Sequence, residues 1–586
     1  MNKMIEKGQP LPDRPLAGRD ARSWWIVGCM LAFVVCILLS VTPIARIGHM
    51  DLTKVTLVKD IAIPTGFMPP RMPFLTIWGK WLPSHFSSTT PNTLYRIADL
   101  ELLFLIGLAF VVYAATVWLV GRRAWDGQMG TLRRWIWIGA LMAGVIYLLT
   151  PGMASKDLFV YADYGNLAGA HLSNPYFSSP LEIAPHDILT RIDDWSKTPS
   201  AYGPVWVYVS GFFSLVFGDH PLPYFYIYRL LALVCHLVNI WLIGQILRRL
   251  GRSERTITLG MLLYAWNPLM LFEGPLGAHN DMFMSTLMLL GVWLCVRADQ
   301  RGFTRLKHYW PALVLFTLAV LVKFTSIPLV LFFLLVLAGK SLGTPHLPLR
   351  ELAWKSAIKN VVVAGVIFAV IALAAYLPFW IGHSLRDIVV SFSTPPSSSG
   401  AENSLMRVGL NYVLAHKQQS GLLMLLMRMM GTRRLWSVLD ILAMGVAALV
   451  GAWYAWRTPS LRTLVLGSLS TMAVVLLVTP WFYSWYVIWL IALIPLLLAF
   501  AAGPLTKALA TFCLTFSATA FVTYLSTSFY REQLLIRYFL LIVPALVIAA
   551  LVYWRARGDK TSAHVKNAFP IDPSSDLQKK LEHERV

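Results

Sequence analysis

The sequence predicts an all-α polytopic membrane protein, and three observations carry that prediction. Of its 586 residues, 57% are hydrophobic and only 13% are charged, a balance that leaves too little polar surface to cover a water-soluble core. Apolar runs of about 17 to 25 residues, the length that crosses a bilayer as a helix, recur from end to end. Basic residues gather between alternate runs, as the positive-inside rule requires of a threaded chain.

The runs fall at 24–43, 97–120, 135–151, 223–247, 257–273, 282–297, 309–322, 325–339, 360–381, 437–456, 462–480, 485–502, 506–525 and 535–554, which gives about fourteen crossings. Residues 1–23 are polar and form a cytoplasmic segment. The first run ends LLSVTPIAR without a small-x-small cleavage site, so it is a retained anchor rather than a signal peptide. With that end inside, the inner segments carry Arg122, Arg123, Arg133 and Arg134, then Arg248, Arg249, Arg252 and Arg255. Arg297, Arg301, Arg305 and Lys307 follow, then Lys340, Arg350, Lys355 and Lys359, and last Arg555, Arg557 and Lys560. The net charge of +21 is therefore topology and attraction to anionic headgroups. It is not a nucleic-acid footprint, because the charges are scattered between spans.

Residues 203–217 break the parity. The stretch is apolar but short for a span, and a crossing there would put Arg248–Arg255 outside, so it reads as a re-entrant or interfacial helix. Outer loops then fall at 44–96, 152–222 and 382–436. The last holds STPPSSSGAENS (393–404), flexible by composition, and LLMLLMRMMGTRR, an amphipathic helix on the outer leaflet. Spans 24–134 and 437–554 flank the centre of the chain, and the tail 555–586 is polar enough to be disordered. Cys29, Cys36, Cys235, Cys295 and Cys513 all lie in spans without CxxC or His-paired spacing, which supports neither a disulfide framework nor a zinc site.

Polar residues near the outer ends of the spans are the candidates for chemistry. Segment 152–222 opens SKDLFVYADYGNLAGAHLSNPY, which sets Asp157 just beyond the third span. Leu158, Tyr161, Tyr164 and Leu167 recur at helical spacing, so Asp157 heads a short helix lying along the interface. A simple N-cap would also explain that Asp. Asp163 is expected to face water or a backbone donor. The segment closes SAYGPVWVY, a tight turn at Tyr202-Gly203-Pro204 leading into an apolar helix.

The turn EGPLGAHN and the residue after it supply Glu273, His279, Asn280 and Asp281. Asp281 could cap the next helix, but so many polar groups beside hydrocarbon are costly unless they meet protein, water or a ligand. Lys323 joins two short runs within 309–339 and needs an anion, either an acid such as Asp281 or a lipid-linked phosphate. Arg229 and Arg537 near outer span ends are similar, although cations also snorkel. TPWFYSWYVIW crowds Trp481, Phe482, Tyr483, Trp485 and Tyr486 into one turn. An aromatic belt would explain it, and so would stacking on a sugar or guiding a lipid chain.

Together DLFVYADYGNLAGAHLSNPY, YGPVW, WNPLMLFEGPLGAHNDMFM, LVKFTSIPL and PWFYSWY resemble the polyprenyl-phosphate-mannose-dependent α-1,6-mannosyltransferases of the GT-C superfamily, over 135–500. The resemblance implies a GT-C-like catalytic module at 135–381 and an active site on the outer face of the plasma membrane. It implies inverting transfer of a hexose, mannose by that resemblance, from a polyprenyl-phosphate donor to a glycan or glycolipid acceptor. The donor is then a co-substrate, and neither cofactor nor metal is expected. An Asp in an early outer loop would be the general base, and Asp157 matches. Lys323, with Arg229 and Arg537 behind it, would face the donor phosphate. Tyr161, Asn174, Tyr176, Tyr202, Glu273, His279, Asn280, Asp281, Trp481, Tyr483, Trp485 and Tyr486 would bind sugar or acceptor, and His279, Asn280 and Asp281 could instead orient Asp157. The two extra spans ahead of the module leave a part for Asp51 or Asp60 open. The rivals are a transporter or flippase of lipid-linked sugars and a ligase or polymerase. The first would bury polar residues mid-span rather than gather acids on one face; the second would rely on outer-loop arginines.

Overall fold

The computed structural model describes residues 17–54, 91–122, 128–150, 152–153, 155–343, 353–393, 403–416, 420–500, 503–524 and 534–568. Most of the loop 44–96, most of 393–404 and the end of the tail lie outside these residues, as does Asp60. Every apolar run named above is built of helix, and no strand forms among the described residues. The first helix continues past Pro43 to Lys54 and the last runs on to Ala568, so helix extends into the expected loop and tail.

Among the described residues, ten helices are long and apolar enough to cross a membrane, from Trp24–Ala45 to Ile536–Gly558. Four of the expected runs fall outside that set, those at 135–151, 257–273, 309–322 and 485–502. Two of these are broken for visible reasons. At 257–273 the helix stops at Asn267, whose Oδ1 caps the Leu269 N–H at 3.0 Å while Pro268 starts a new turn. A π-helical turn, Phe272–Leu276, follows. At 485–502 the chain is a string of short turns, Ser484–Val487, Ile488–Leu493 and Ile494–Ala499. Such breaks re-aim side chains and collect at functional sites. Both lead to the same cluster.

Lipid-facing surface is plain in the outer helices. Trp354–Trp380 and Arg433–Arg457 leave Val366, Val370, Leu442 and Leu449 uncovered by protein, which is tolerable only where hydrocarbon is the solvent.

Pro204–Phe217 has 14 residues. At 1.5 Å per residue it reaches ~21 Å, short of the ~30 Å hydrocarbon layer. It packs on Asp157–Gly169 through small residues. A Cβ at Gly165 would lie 2.5 Å from the Ser210 backbone, and Ser214 Oγ donates to Gly165 O at 3.0 Å. Close backbone approach of this kind is what glycine stripes permit. Its far side exposes Phe212, Leu215 and Val216.

The Asp157–Gly169 helix departs from expectation. Leu158 through Leu167 are all buried, so it is enclosed rather than laid along an interface with a free face. The cause is the chain at 180–202, which folds back over it. Tyr164 donates to Thr198 O at 2.9 Å, Asn166 donates to Asp187 at 2.8 Å and Thr190 donates to Asp163 at 2.9 Å. Asp163 therefore faces protein, not water. Burial, and then the charge of Asp193, push its carboxyl well above the ordinary range, and burial does the same to Asp193. The folded protein favours the protonated acid, so this stability is full at pH below the ordinary carboxylate value and is lost as pH rises above it. Asp163→Asn is expected to flatten the fall in melting temperature between pH 6 and 9. A melt series in detergent showing the wild-type slope unchanged would refute it.

Candidate active site

The cluster is built from two helix starts and one broken helix. Lys156 takes the cap position and Asp157 is the first residue of its helix, so the carboxylate is not spent as an N-cap. It points instead to His279 Nδ1, 3.5 Å from its Oδ2. The other imidazole nitrogen, Nε2, lies 3.3 Å from Glu273 Oε2. Glu273 in turn accepts from the Tyr524 hydroxyl at 2.9 and 3.0 Å.

The backbone that presents His279 is special. Ala278 stands at φ +57°, a left-handed conformation that an alanine adopts only under constraint. A Cβ on Gly277 would come 2.8 Å from the His279 ring, so only glycine leaves room for it. The ring is fully buried and stacks on Trp485 at 4.0 Å, and Trp485 stacks on Tyr483 at 4.4 Å. His279 lies in the turn ahead of the span Asp281–Asp299. Burial opposes its charge, but the hydrogen bonds and charges of Asp157 and Glu273 outweigh burial and raise it to about 9.

A second ion pair adjoins the first. Lys323, extended between two helices, donates to both oxygens of Asp281 at 2.8 and 3.0 Å. The Trp489 indole N–H also donates to Asp281. The ammonium sits over the Tyr486 ring at 4.6 Å and the Trp489 ring at 5.5 Å. Glu273, His279 and Asp281 have fully enclosed side chains, whereas those of Asp157 and Lys323 keep 18% and 16% exposure. Asn280 is buried, and its side-chain nitrogen and oxygen have no protein partner among the described residues.

Beside this cluster lies a cavity of about 720 Å³ whose wall includes Tyr176, Tyr202, Tyr376, Trp380, His383, Arg433 and Trp481. Tyr202 joins the two, since it meets Tyr161 edge-on at 4.9 Å. Tyr176 donates to Tyr202 O at 2.9 Å, and Asn174 ties the loop to Phe379 O at 2.5 Å, which makes Asn174 a brace for the wall.

Several expected residues do other work. Arg229 is fully buried and donates to the carbonyls of Tyr147, Leu148, Thr150 and Gly152, with Phe225 against its face at 3.8 Å. The expectation that it meets a phosphate is corrected by those contacts: it satisfies carbonyls left over at a helix C-terminus. Arg229→Ala is expected to destabilise the fold by roughly 1–3 kcal/mol for each carbonyl left without a donor, read as lost folded yield and a lower melting temperature in detergent. Arg537 donates to Thr523 O and lines a narrow cleft with Arg407 and Asn403, apart from Lys323. Glu273 and Asp281, expected to meet sugar, direct their oxygens at protein partners. Sequence reading missed Tyr524, Trp489, Arg433 and His383.

Against this geometry stand the similarities to known proteins. Residues 57–339 match the family model described as alpha-(1->6)-mannopyranosyltransferase, N-terminal domain, and residues 201–480 match glycosyltransferase family 87. Both matches support a place for this chain among the GT-C membrane mannosyltransferases. Alpha-(1->6)-mannopyranosyltransferase A of Mycobacterium tuberculosis is 25% identical over 381 residues, covering 63% of this chain and 67% of that protein. Alpha-(1->6)-mannopyranosyltransferase B of Corynebacterium glutamicum is 27% identical over 217 residues, covering 34% of each. A glycosyltransferase with many apolar helices is a multi-pass membrane enzyme that takes a sugar donor and a glycan acceptor, and Asp157, Glu273, His279, Asp281 and Lys323 all lie within the residues matched by the first family model.

Proposed function

We propose that this membrane glycosyltransferase moves mannose from a polyprenyl-phosphate donor to a glycan or glycolipid acceptor on the outer face, with inversion and with Asp157 as general base. The observation that carries the proposal is the exposure pattern. Of three clustered carboxylates, Asp157 alone keeps an open side chain, and Tyr202, near enough to feel its charge, lines an aromatic-walled cavity. The acceptor hydroxyl gives its proton to Asp157 as its oxygen attacks C1, and the C1–O bond to phosphate breaks with the electron pair on the leaving lipid monophosphate. Displacement from the face opposite the phosphate inverts C1.

Lys323 aims two of its N–H groups at Asp281 and has a third for the leaving phosphate oxygen. Arg537, with Arg407 beside it, is a second cationic candidate. The unpartnered amide of Asn280 is a buried polar group that a sugar hydroxyl would satisfy. Tyr176, Tyr202 and Trp481 supply aromatic wall, with Tyr161 packed against Tyr202, while Tyr483, Trp485 and Tyr486 act through His279 and Lys323. The outer-face assignment, with both termini cytoplasmic, rests on the basic segments between alternate spans.

The test is turnover by the purified protein in proteoliposomes, given polyprenyl-phosphate-mannose and mannose oligosaccharides. Release of polyprenyl phosphate together with an extended acceptor is expected. If no lipid-phosphate hexose is consumed with any such acceptor, the proposal fails.

A further inference from the structure

We propose that Glu273 and Tyr524 are positioning residues of the transfer, holding His279 as an imidazolium against Asp157 so that the cluster's one unbalanced negative charge lies on the carboxylate that faces the substrate. The inference rests on Asp157 being the base.

The charges decide it. Asp157, Glu273 and Asp281 are three carboxylates, and among the described residues His279 and Lys323 are the two cations that touch them. Lys323 is taken by Asp281. Glu273 is enclosed, and an enclosed carboxylate without a cation is very costly, so His279 must carry its proton to serve it. That leaves Asp157, which shares the same ring from the other side and is the only one of the three with solvent access. A base so placed is held by one ion-pair contact at 3.5 Å and keeps lone pairs for an incoming hydroxyl. When Asp157 takes the acceptor proton the cluster goes from a net negative charge to neutral, and both enclosed carboxylates keep their cations. The charge thus changes only at the open end of the string.

Tyr524 completes the device from a distant part of the chain. Its hydroxyl donates to both oxygens of Glu273, which fixes the carboxylate edge toward His279. Trp485 covers the ring face, where the aromatic quadrupole also favours a cation. The groups that bear on the ring are Asp157 and Tyr161 from the Asp157 helix and Glu273 from its own turn. Beyond them stand the Asp281–Lys323 pair, Tyr486 and Tyr524. Of these only the two carboxylates in contact pull the proton strongly on.

The prediction is a movable alkaline limb. Wild-type kcat at saturating donor should fall as His279 loses its proton at about 9. Glu273→Gln keeps the shape and removes one charge, so the limb should move down by about 1–3 pH units with donor KM unchanged. Tyr524→Phe should move it the same way by less, and Glu273→Asp should restore part of the shift. A purely structural role would lower kcat equally at every pH and leave the limb in place, and that result overturns the inference. A readout without turnover keeps the inference separate from the functional reading. In the full-length protein labelled with ¹⁵N-histidine, the His279 signals, assigned with His279→Gln, should report an imidazolium at pH 7.5 in wild type and earlier proton loss in Glu273→Gln. A neutral wild-type His279 at pH 7.5 sinks the inference even if the enzyme transfers mannose. An imidazolium in a protein that consumes no lipid-linked sugar sustains the charge arrangement and sinks the function.

Discussion

Asp157→Asn is expected to lower kcat by about 10²–10⁴-fold while leaving donor KM and the melting temperature close to wild type. The amide has nearly the shape of the carboxylate but no basic lone pair for the acceptor proton. Stability should hold because His279 keeps Glu273 as its counter-charge at 3.3 Å, so the substitution orphans no buried ion. Asp157→Glu separates chemistry from placement. It keeps the carboxylate but shifts it by about a bond length, and a displacement near 1 Å costs on the order of 10²-fold. Polyprenyl phosphate release at saturating donor measures both variants. Near-full turnover by Asp157→Asn would place the base elsewhere without touching membership of the family.

The parts of this site that sequence reading reached are those where polarity is out of place. Asp157, the His279–Asp281 turn and Lys323 each interrupt an apolar run, and lipid makes every such interruption expensive enough to need a reason. Tyr524 and Trp489 sit inside apolar runs, where a single aromatic residue looks the same whether it packs, belts the membrane or bonds a carboxylate. Nothing local marks Tyr524 as the partner of Glu273, because the two stand 251 residues apart in the chain. Arg229 was legible as a costly cation but not by its partner. A phosphate and the spare carbonyls at the end of Met129–Leu148 satisfy a guanidinium equally well, and only the packed fold chooses between them. Asp163 misled for a related reason: its exposure depends on the loop at 180–202 folding back, and a loop's path is written in contacts rather than periodicity. The helices themselves were legible because length and hydropathy suffice. Their breaks at Asn267-Pro268 and Ser484–Val487 were not, although both residue sets were in view, since a turn inside a span is decided by what its side chains reach.

Lys323 carries the second large effect, and a two-step substitution separates its roles. Lys323→Met removes the cation from a carboxylate that is fully enclosed, so the fold should lose roughly 3–5 kcal/mol, seen as a lower melting temperature. Turnover should fall as well, by about 10²–10³-fold if the ammonium stabilises the departing phosphate. The single variant cannot divide these losses, because a damaged fold also slows chemistry. Pairing it with Asp281→Asn removes the orphaned charge: the Trp489 indole can still donate to the amide oxygen, and the methionine stem still fills the space over Tyr486 and Trp489. The double variant is expected to regain most of the melting temperature and little of the turnover. That split follows only if Lys323 serves a charge outside the pair, since an ion pair that merely braces the turn would return both together. Recovery of turnover in the double variant would assign Lys323 to the fold and direct the search for the phosphate's cation to Arg407 and Arg537.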